Sequence, residues 1–377
     1  MLLCYCNNYP SALKDTSDRR GFFYIEVGYK VSNHFKQLRF IDQLALLKLR
    51  GISGISLRVS NYKNNNEQSR ERLLKNLNKL SEIGYYTLKN YAAPFFNQET
   101  GQYERLQFNT LIARYYRDKH FKQATLHAIE DIEVTLNTRI AYLLGEKYGA
   151  FGYTDFHLWC QRNGYNPYIR SYMDKFILQQ EEYDMLKKIV RGASKSSNKS
   201  ISEFESDAEK VVPPVWLMVN LLTLGESIRI LELMSKKNRE TIANQFNCKV
   251  DELLGWLKCI NLIRNICCHN ENLIDFKLKT KPSIPQWVVN KGILYSTTQE
   301  DGSIQYTNAI ALPLVIITTL METINSKYKF DELNRSLSML APTNRIARQY
   351  GFENIYKMYT LFKSNSEDEL SDVSIGY

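Results

Sequence analysis

The order of apolar and polar positions divides this chain into helices. Residues 36–50, KQLRFIDQLALLKLR, repeat apolar side chains at helical spacing and stop at Gly51, which suits a C-terminal cap. The Asn-rich KNNNEQ follows Tyr62, and RERLLKNLNKLSEIGYY predicts a second amphipathic helix ending near Gly84. NYAAPFFNQETGQYE reads as a loop marked by Pro94 and Gly101. From Phe108 to Tyr148 there is no proline, and no glycine before Gly145, while the apolar rhythm holds at 3.6 residues. This predicts one long helix, or two end to end, that needs packing along its length. Residues 153–190 read as helical with a break at Asn166-Pro167, and residues 192–210 as a Ser- and charge-rich linker.

Pro213-Pro214 then open a predicted helix, PPVWLMVNLLTLGESIRILELM, with proline in its first turn. SKKNRETIANQF and KVDELLGWLKCINLIRNICCHN predict two more. WVVNKGILYSTTQEDGSIQYTN alternates in β fashion around Lys291-Gly292 and Asp301-Gly302, which predicts a small hairpin, the one strand element expected. The apolar run AIALPLVIITTLM is shorter than a membrane span and suits a buried last helix of the core. A mainly helical C-terminal part follows, then the acidic SNSEDELSD, expected to fray. No repeat of fixed period occurs. The fold class expected is all-α.

Composition narrows the partners. The chain has 377 residues, is 44% hydrophobic and carries a formal net charge of +9. A basic balance of that size favours a polyanion such as nucleic acid, through counterion release and steering. Seven cysteines, an odd number without a C-x-x-C pair, fit a reducing compartment. The start MLLCYCNNYP holds too short an apolar run for a secretory leader, so a cytoplasmic location without membrane contact is expected. Gly-rich phosphate loops, H-E-x-x-H and G-x-S-x-G are missing from the sequence, and neither cofactor nor metal is expected.

The candidate chemistry lies in INLIRNICCHNENL, residues 260–273, which sets Arg264, Asn265, His269 and Asn270 on one helix. At about 100° per residue, Arg264 and His269 point roughly 140° apart, about 7.5 Å along the axis. Asn265 and His269 form the i, i+4 pair. An imidazole exchanges a proton near neutral pH, and a guanidinium holds a phosphate through paired hydrogen bonds. Together they suit reaction at a phosphodiester without a metal. Cleavage that uses an RNA 2′-hydroxyl gains from both a base and an acid, which two copies of the helix across a two-fold axis would supply. The plainer reading is a helix-capping asparagine and a core histidine beside two buried cysteines.

WLKCINLIRNICCHN resembles the R-x4-H helix of HEPN-domain ribonucleases, with Arg264 and His269 in the catalytic places and Asn265 in the polar place after arginine. The wider chain resembles AbiD/AbiF-type abortive-infection proteins. The likeness runs through FIDQLALLKLRGI, IGYYTLKNY, YERLQFNTLIARYYRDKHFKQATLHAIEDIEVTLNTRIAYLLGEKYGAFGY and PPVWLMVNLLTLGES to RNICCHNENL. Departures are ENLIDFK, where such proteins tend toward an Arg-Leu-Trp-Asn type stretch, and RYYRDKH in place of a Phe-Asp-rich pattern. The resemblance implies a HEPN-like bundle over residues 106–330 with core helices 108–147, 213–234, 251–270 and 309–325. A helical extension would occupy residues 1–105, and a helical segment with an acidic tail residues 331–377. It also implies a homodimeric, metal-independent endoribonuclease of an abortive-infection or toxin–antitoxin system, leaving a cyclic phosphate and a 5′-hydroxyl. Asn270 would support the site, and a small structured RNA is the antitoxin expected on the basic surface.

Other groups carry weaker signals. Arg114 and His120 in ARYYRDKHF make a second Arg/His spacing, for which surface or RNA-contact duty is the expectation. Tyr115, Tyr116 and Arg117 are candidate RNA contacts, stacking on and pairing with bases, although core packing of one tyrosine is simpler. Glu130 and Glu133 could orient the arginine from a neighbouring helix, with a solvated ion-pair ladder to Arg139 as the plainer alternative. His34, His127 and His157 are taken as structural or surface groups, and Cys267 and Cys268 as small core fillers. The rival functional readings are a non-catalytic RNA-binding effector and a protein-interaction scaffold.

Overall fold

A computed structural model describes residues 37–57, 63–202 and 212–362, with 63–66 as backbone only. Cys4, Cys6, His34, part of the predicted linker and the acidic tail lie outside the described residues. The fold is all-α with small β insertions. It divides into two compact units, Met1–Asp118 and Lys119–Tyr377, and the dividing point falls inside the longest helix.

The first unit holds α1 (Phe40–Leu49), α2 (Lys63–Ile83), α3 (Tyr85–Ala92) and the start of α4 (Phe108–Tyr148). α1 packs on α2 and α2 on α3. Leu44, Leu47, Leu80, Leu88, Phe108 and Leu111 are buried there. α1 ends as its sequence predicts. Gly51 takes φ +95°, and the Ile52 N–H bonds the Leu47 carbonyl at 3.1 Å. A side chain at Gly51 would put Cβ 2.6 Å from the Tyr103 carbonyl oxygen, so both conformation and space demand glycine. NYAAPFFNQETGQYE is not a plain loop. It contains β1 (Phe96–Asn97) paired antiparallel with β2 (Gln102–Tyr103).

In the second unit α4 runs on as one helix of 41 residues. Its inner stripe of Ile129, Ile132, Leu136, Ile140 and Leu143 is buried. Residues 153–190, read as helical, instead begin with a short α5 (Phe156–Trp159) and a hairpin of β3 (Gly164–Asn166) with β4 (Ser171–Met173). Only α6 (Lys175–Ala193) is a long helix, capped by Asp174, whose side chain accepts the Ile177 N–H at 2.8 Å. Strands of three residues are too short for period-2 patterning to stand out, and Asn166-Pro167 marks the hairpin turn rather than a helix break.

The predicted 213–234 helix is also two. α7 (Val215–Met218) runs into one further tight turn, and α8 (Leu224–Leu233) starts afresh at Thr223. A capping box makes that start: Thr223 Oγ1 accepts the Glu226 N–H, and the Glu226 carboxylate accepts the Thr223 N–H at 2.8 Å. α9 (Lys236–Gln245) and α10 (Val250–Cys268) follow as expected. α10 packs against α8, α9 and the almost wholly buried α12 (Ala311–Ile324). Before α12 stand α11 (Gln286–Lys291), closed by Gly292, and the hairpin of β5 (Ser296–Thr298) with β6 (Ile304–Tyr306) around Asp301-Gly302. That hairpin is therefore one of three among the described residues. The helices α13 (Asp331–Leu340), α14 (Asn344–Gln349) and α15 (Ile355–Thr360) complete the mainly helical C-terminal part. Among the described residues no helix is long and apolar enough to cross a membrane.

Candidate functional site

α10 buries Leu253, Leu254, Trp256, Leu257, Cys259, Ile260, Ile263, Ile266 and Cys267. That is the inner stripe of an amphipathic helix, and it leaves Lys258, Leu262, Cys268 and His269 exposed, with Asn261, Arg264 and Asn265 half-buried. His269 is the C-cap residue, its N–H bonded to the Asn265 carbonyl at 2.9 Å. Its imidazole is exposed at the helix tip, so the core-histidine reading fails. Cys267 is buried, but Cys268 is exposed and is not a core filler.

The helix closes through Asn270, which sits in the left-handed region at φ +54°. The Glu271 N–H reaches the Ile266 carbonyl at 3.0 Å and the Asn270 N–H the Cys267 carbonyl at 3.2 Å, the paired bonds of a Schellman end. Asn270 is thus the capping asparagine that the plainer reading foresaw. Its side chain has a further partner. Lys122 on α4, only 2% exposed, donates to Asn270 Oδ1 at 2.7 Å and to the Glu271 carbonyl at 2.9 Å. A buried ammonium at a helix C-terminus meets the partial negative charge of the last carbonyls. Lys122 therefore fixes the tip that carries His269.

Arg264 lies one and a half turns back, on the flank of α10. Its Nε is 4.0 Å from Glu133 Oε2 on α4. Burial pushes the Glu133 carboxyl above the usual range, against the opposing pull of Arg264 and of the Leu224 N–H that it accepts; the charge of Glu130 adds to the rise. Glu133 thus joins α4, the start of α8 and the arginine of α10. The ion-pair ladder does not form as imagined. Arg139 Nη1 donates to the Gln245 carbonyl at 2.8 Å, and its guanidinium lies 4.0 Å from the centre of the Phe246 ring.

The other candidates separate from this constellation. Tyr115 is 7% exposed, its ring against Tyr91 and Tyr116, so it offers no face for a base and leaves the set of RNA contacts. Tyr116 has Lys79 over its ring at 5.4 Å and within 3.3 Å of its hydroxyl. Arg117 and His120 are exposed, whereas the Arg114 guanidinium lies over the Phe95 ring at 5.6 Å. His127 Nδ1 is 2.6 Å from the Tyr328 hydroxyl, and His157 is exposed at the start of α5.

Lys122 was missed by reasoning from sequence. The legible signal was its place on the apolar stripe of α4, in step with Thr125, Ile129 and Ile132, where a lysine must find a buried partner. A family model described as Abi-like protein matches residues 78–275, just over half of the chain. No curated protein and no solved structure matches.

Proposed function

The chain belongs to the Abi-like family and is an abortive-infection protein, and from that premise we propose that it is a HEPN-type endoribonuclease acting at the C-terminal end of α10. The observation that carries the reading is the exposed His269 at a tip fixed by Asn270 and Lys122, with Arg264 held on the same helix by Glu133. Residues 106–330 are the HEPN-like domain in this proposal, and Asn265 and Asn270 support the site.

The active form is a homodimer that sets two such tips on one RNA. One His269 takes the proton of a 2′-hydroxyl as its oxygen attacks the adjacent phosphorus. The bond from phosphorus to the 5′-oxygen breaks, and the second His269 protonates the departing oxygen. The products are a 2′,3′-cyclic phosphate and a 5′-hydroxyl. Arg264 contacts Glu133 through its Nε side, so its terminal nitrogens can take the phosphoryl oxygens as negative charge grows on them. The enzyme works in the cytoplasm without a metal, and a small structured RNA on its basic surface restrains it as antitoxin.

The test is cleavage of total RNA and of tRNA by the full-length protein in EDTA, beside His269→Ala. The wild type should cut and leave cyclic-phosphate ends, and the variant should be slower by roughly 10²- to 10⁴-fold. Equal cleavage by both would overturn the site. No cleavage by either, after co-purified RNA is stripped, would overturn the nuclease; retained RNA binding would then favour the non-catalytic effector.

A further inference from the structure

The β3–β4 hairpin, for which no role has been assigned, is fixed firmly on one side and bare on the other. On its inner side Asn166 is fully buried, donating to the Glu232 carbonyl at 2.9 Å and accepting the Tyr168 N–H at 3.0 Å. Arg239, also buried, donates to the same carbonyl at 3.0 Å and to Gln161 Oε1 at 3.2 Å, and lies over the Tyr168 ring at 4.8 Å. Gln161 in turn donates to the Asn163 and Tyr165 carbonyls at 3.1 and 3.3 Å. Buried polar groups so fully bonded hold one conformation.

The outer side holds large rings in water. Tyr165 and Tyr172 face each other across the two strands, 53% and 72% exposed, with ring centres 5.4 Å apart. Phe176, at the start of α6, is 79% exposed. Three cations lie within three residues of the tyrosines along the chain: Arg162, Arg170 and Lys175, all exposed and none in an ion pair among the described residues. The one carboxylate of this stretch, Asp174, is engaged in capping α6. Preset aromatic faces among unpaired cations match the bases and phosphates of a single strand.

The hairpin also touches the proposed catalytic helix. The Tyr168 hydroxyl donates to Asp251 at 2.7 Å, and Lys258 approaches the Tyr168 carbonyl at 3.5 Å. From Lys258 to His269 is eleven residues of α10, about 16 Å along its axis.

We propose that the β3–β4 hairpin is a stacking platform for unpaired bases of RNA, with Tyr165, Tyr172 and Phe176 taking the bases and Arg162, Arg170 and Lys175 the backbone. It would hold the strand beside α10, which Tyr168 of the same hairpin touches. The assignment rests on the RNA reading above but not on cleavage.

The experiment is fluorescence anisotropy with a labelled unstructured 12-nucleotide RNA and full-length His269→Ala protein, with and without Tyr165→Ala and Tyr172→Ala together. Each lost stacking contact should weaken binding by about 5- to 150-fold. Tyr165→Phe with Tyr172→Phe, which keeps both rings, should bind like the parent and guards against a folding artefact. Arg162→Gln with Arg170→Gln should flatten the dependence of log affinity on log salt by about 0.7 for each cation. Unchanged affinity in the alanine pair, while wild type still cleaves RNA, would overturn the platform and leave the nuclease standing. Unchanged affinity with an altered oligomeric state would overturn it in favour of a contact between copies of the chain. No RNA binding by any variant would overturn the platform and the RNA reading together.

Discussion

Two stretches of helix each carry an arginine followed closely by a histidine, and their surroundings differ in kind. Around Arg114 the helix is past its first turn and runs on unbroken to Tyr148. The guanidinium covers Phe95, Tyr115 is buried, and the fully buried Asp118 accepts the Tyr91 hydroxyl. Around Arg264 the helix is about to end. The guanidinium meets a carboxylate from another helix, and the chain turns through a left-handed asparagine just after His269. Within a helix the backbone is satisfied and side chains are apportioned between core and solvent. At a terminus the fold must bring in caps from elsewhere, and those caps also orient whatever stands there. Spacing alone therefore does not make a site.

The sharpest way to break this contrast is to remove each arginine. Arg264→Ala should lower the rate of RNA cleavage by roughly 10²- to 10³-fold, as loss of a donor to developing charge does. Arg264→Lys should recover only part, because a point charge lacks the paired geometry. Arg114→Ala should leave the rate unchanged while weakening the packing on Phe95. Initial rates on one RNA at fixed salt decide it, and equal losses at both positions would erase the distinction.

The next effect is structural. Lys122→Met keeps most of the buried stem but removes the donor to Asn270 and Glu271. It should cost about 1–3 kcal/mol in urea unfolding, the range for leaving buried partners unsatisfied. Cleavage should fall as well, because Lys122 anchors the tip that carries His269. Stability that does not change would make Lys122 a bystander.

Asn270 gives a more selective change, smallest with glycine. Asn270→Gly tolerates φ +54° and gives up one Lys122 acceptor, so about 1 kcal/mol should be lost. Asn270→Ala should cost more, because it adds about 1–2 kcal/mol of left-handed strain to the same lost bond. The end of α1 uses the same backbone turn with Gly51, where the nearby Tyr103 carbonyl leaves no room for a side chain. One cap is glycine for lack of space; the other is asparagine with a side-chain task. Equal stability of the two Asn270 variants would remove the strain from this account.

Much of this was readable from the chain, within physical limits. The long α4, the motif helix α10 and the buried α12 follow from sustained apolar rhythm, and Gly51 from its place after α1. The break before α8 was written as Thr223-x-x-Glu226, but an unbroken apolar run across it concealed the capping box. The β3–β4 hairpin escaped because three-residue strands carry too little alternation. Arg264 and His269 were legible as residue types. Glu133 was legible too, as a carboxylate able to reach Arg264 from a neighbouring helix, whereas Lys122 lies more than a hundred residues from Asn270, where only folding brings it near.

The finest comparison uses two glutamates, one from each region. Glu133, beside Arg264, has its carboxyl raised above the ordinary 4.5 mainly by burial. The folded chain then holds that proton more tightly than the unfolded one. Its stabilising share is complete below the unfolded value and fades as pH rises through the folded one. Glu82, beside Lys79 and Tyr116, is lowered from 4.5, first by its bond to Lys79. Its share is present above the unfolded value and is lost as pH falls through the folded one. Urea midpoints at pH 4 and pH 7 should therefore move in opposite senses. Relative to Glu133→Gln, wild type should lose ground from pH 4 to pH 7; relative to Glu82→Gln, it should gain, by less because that pair is solvent-screened. If both substitutions shift the same way, burial is not what distinguishes the carboxylate behind Arg264, and the case for Glu133 as its positioning partner rests on the 4.0 Å contact alone.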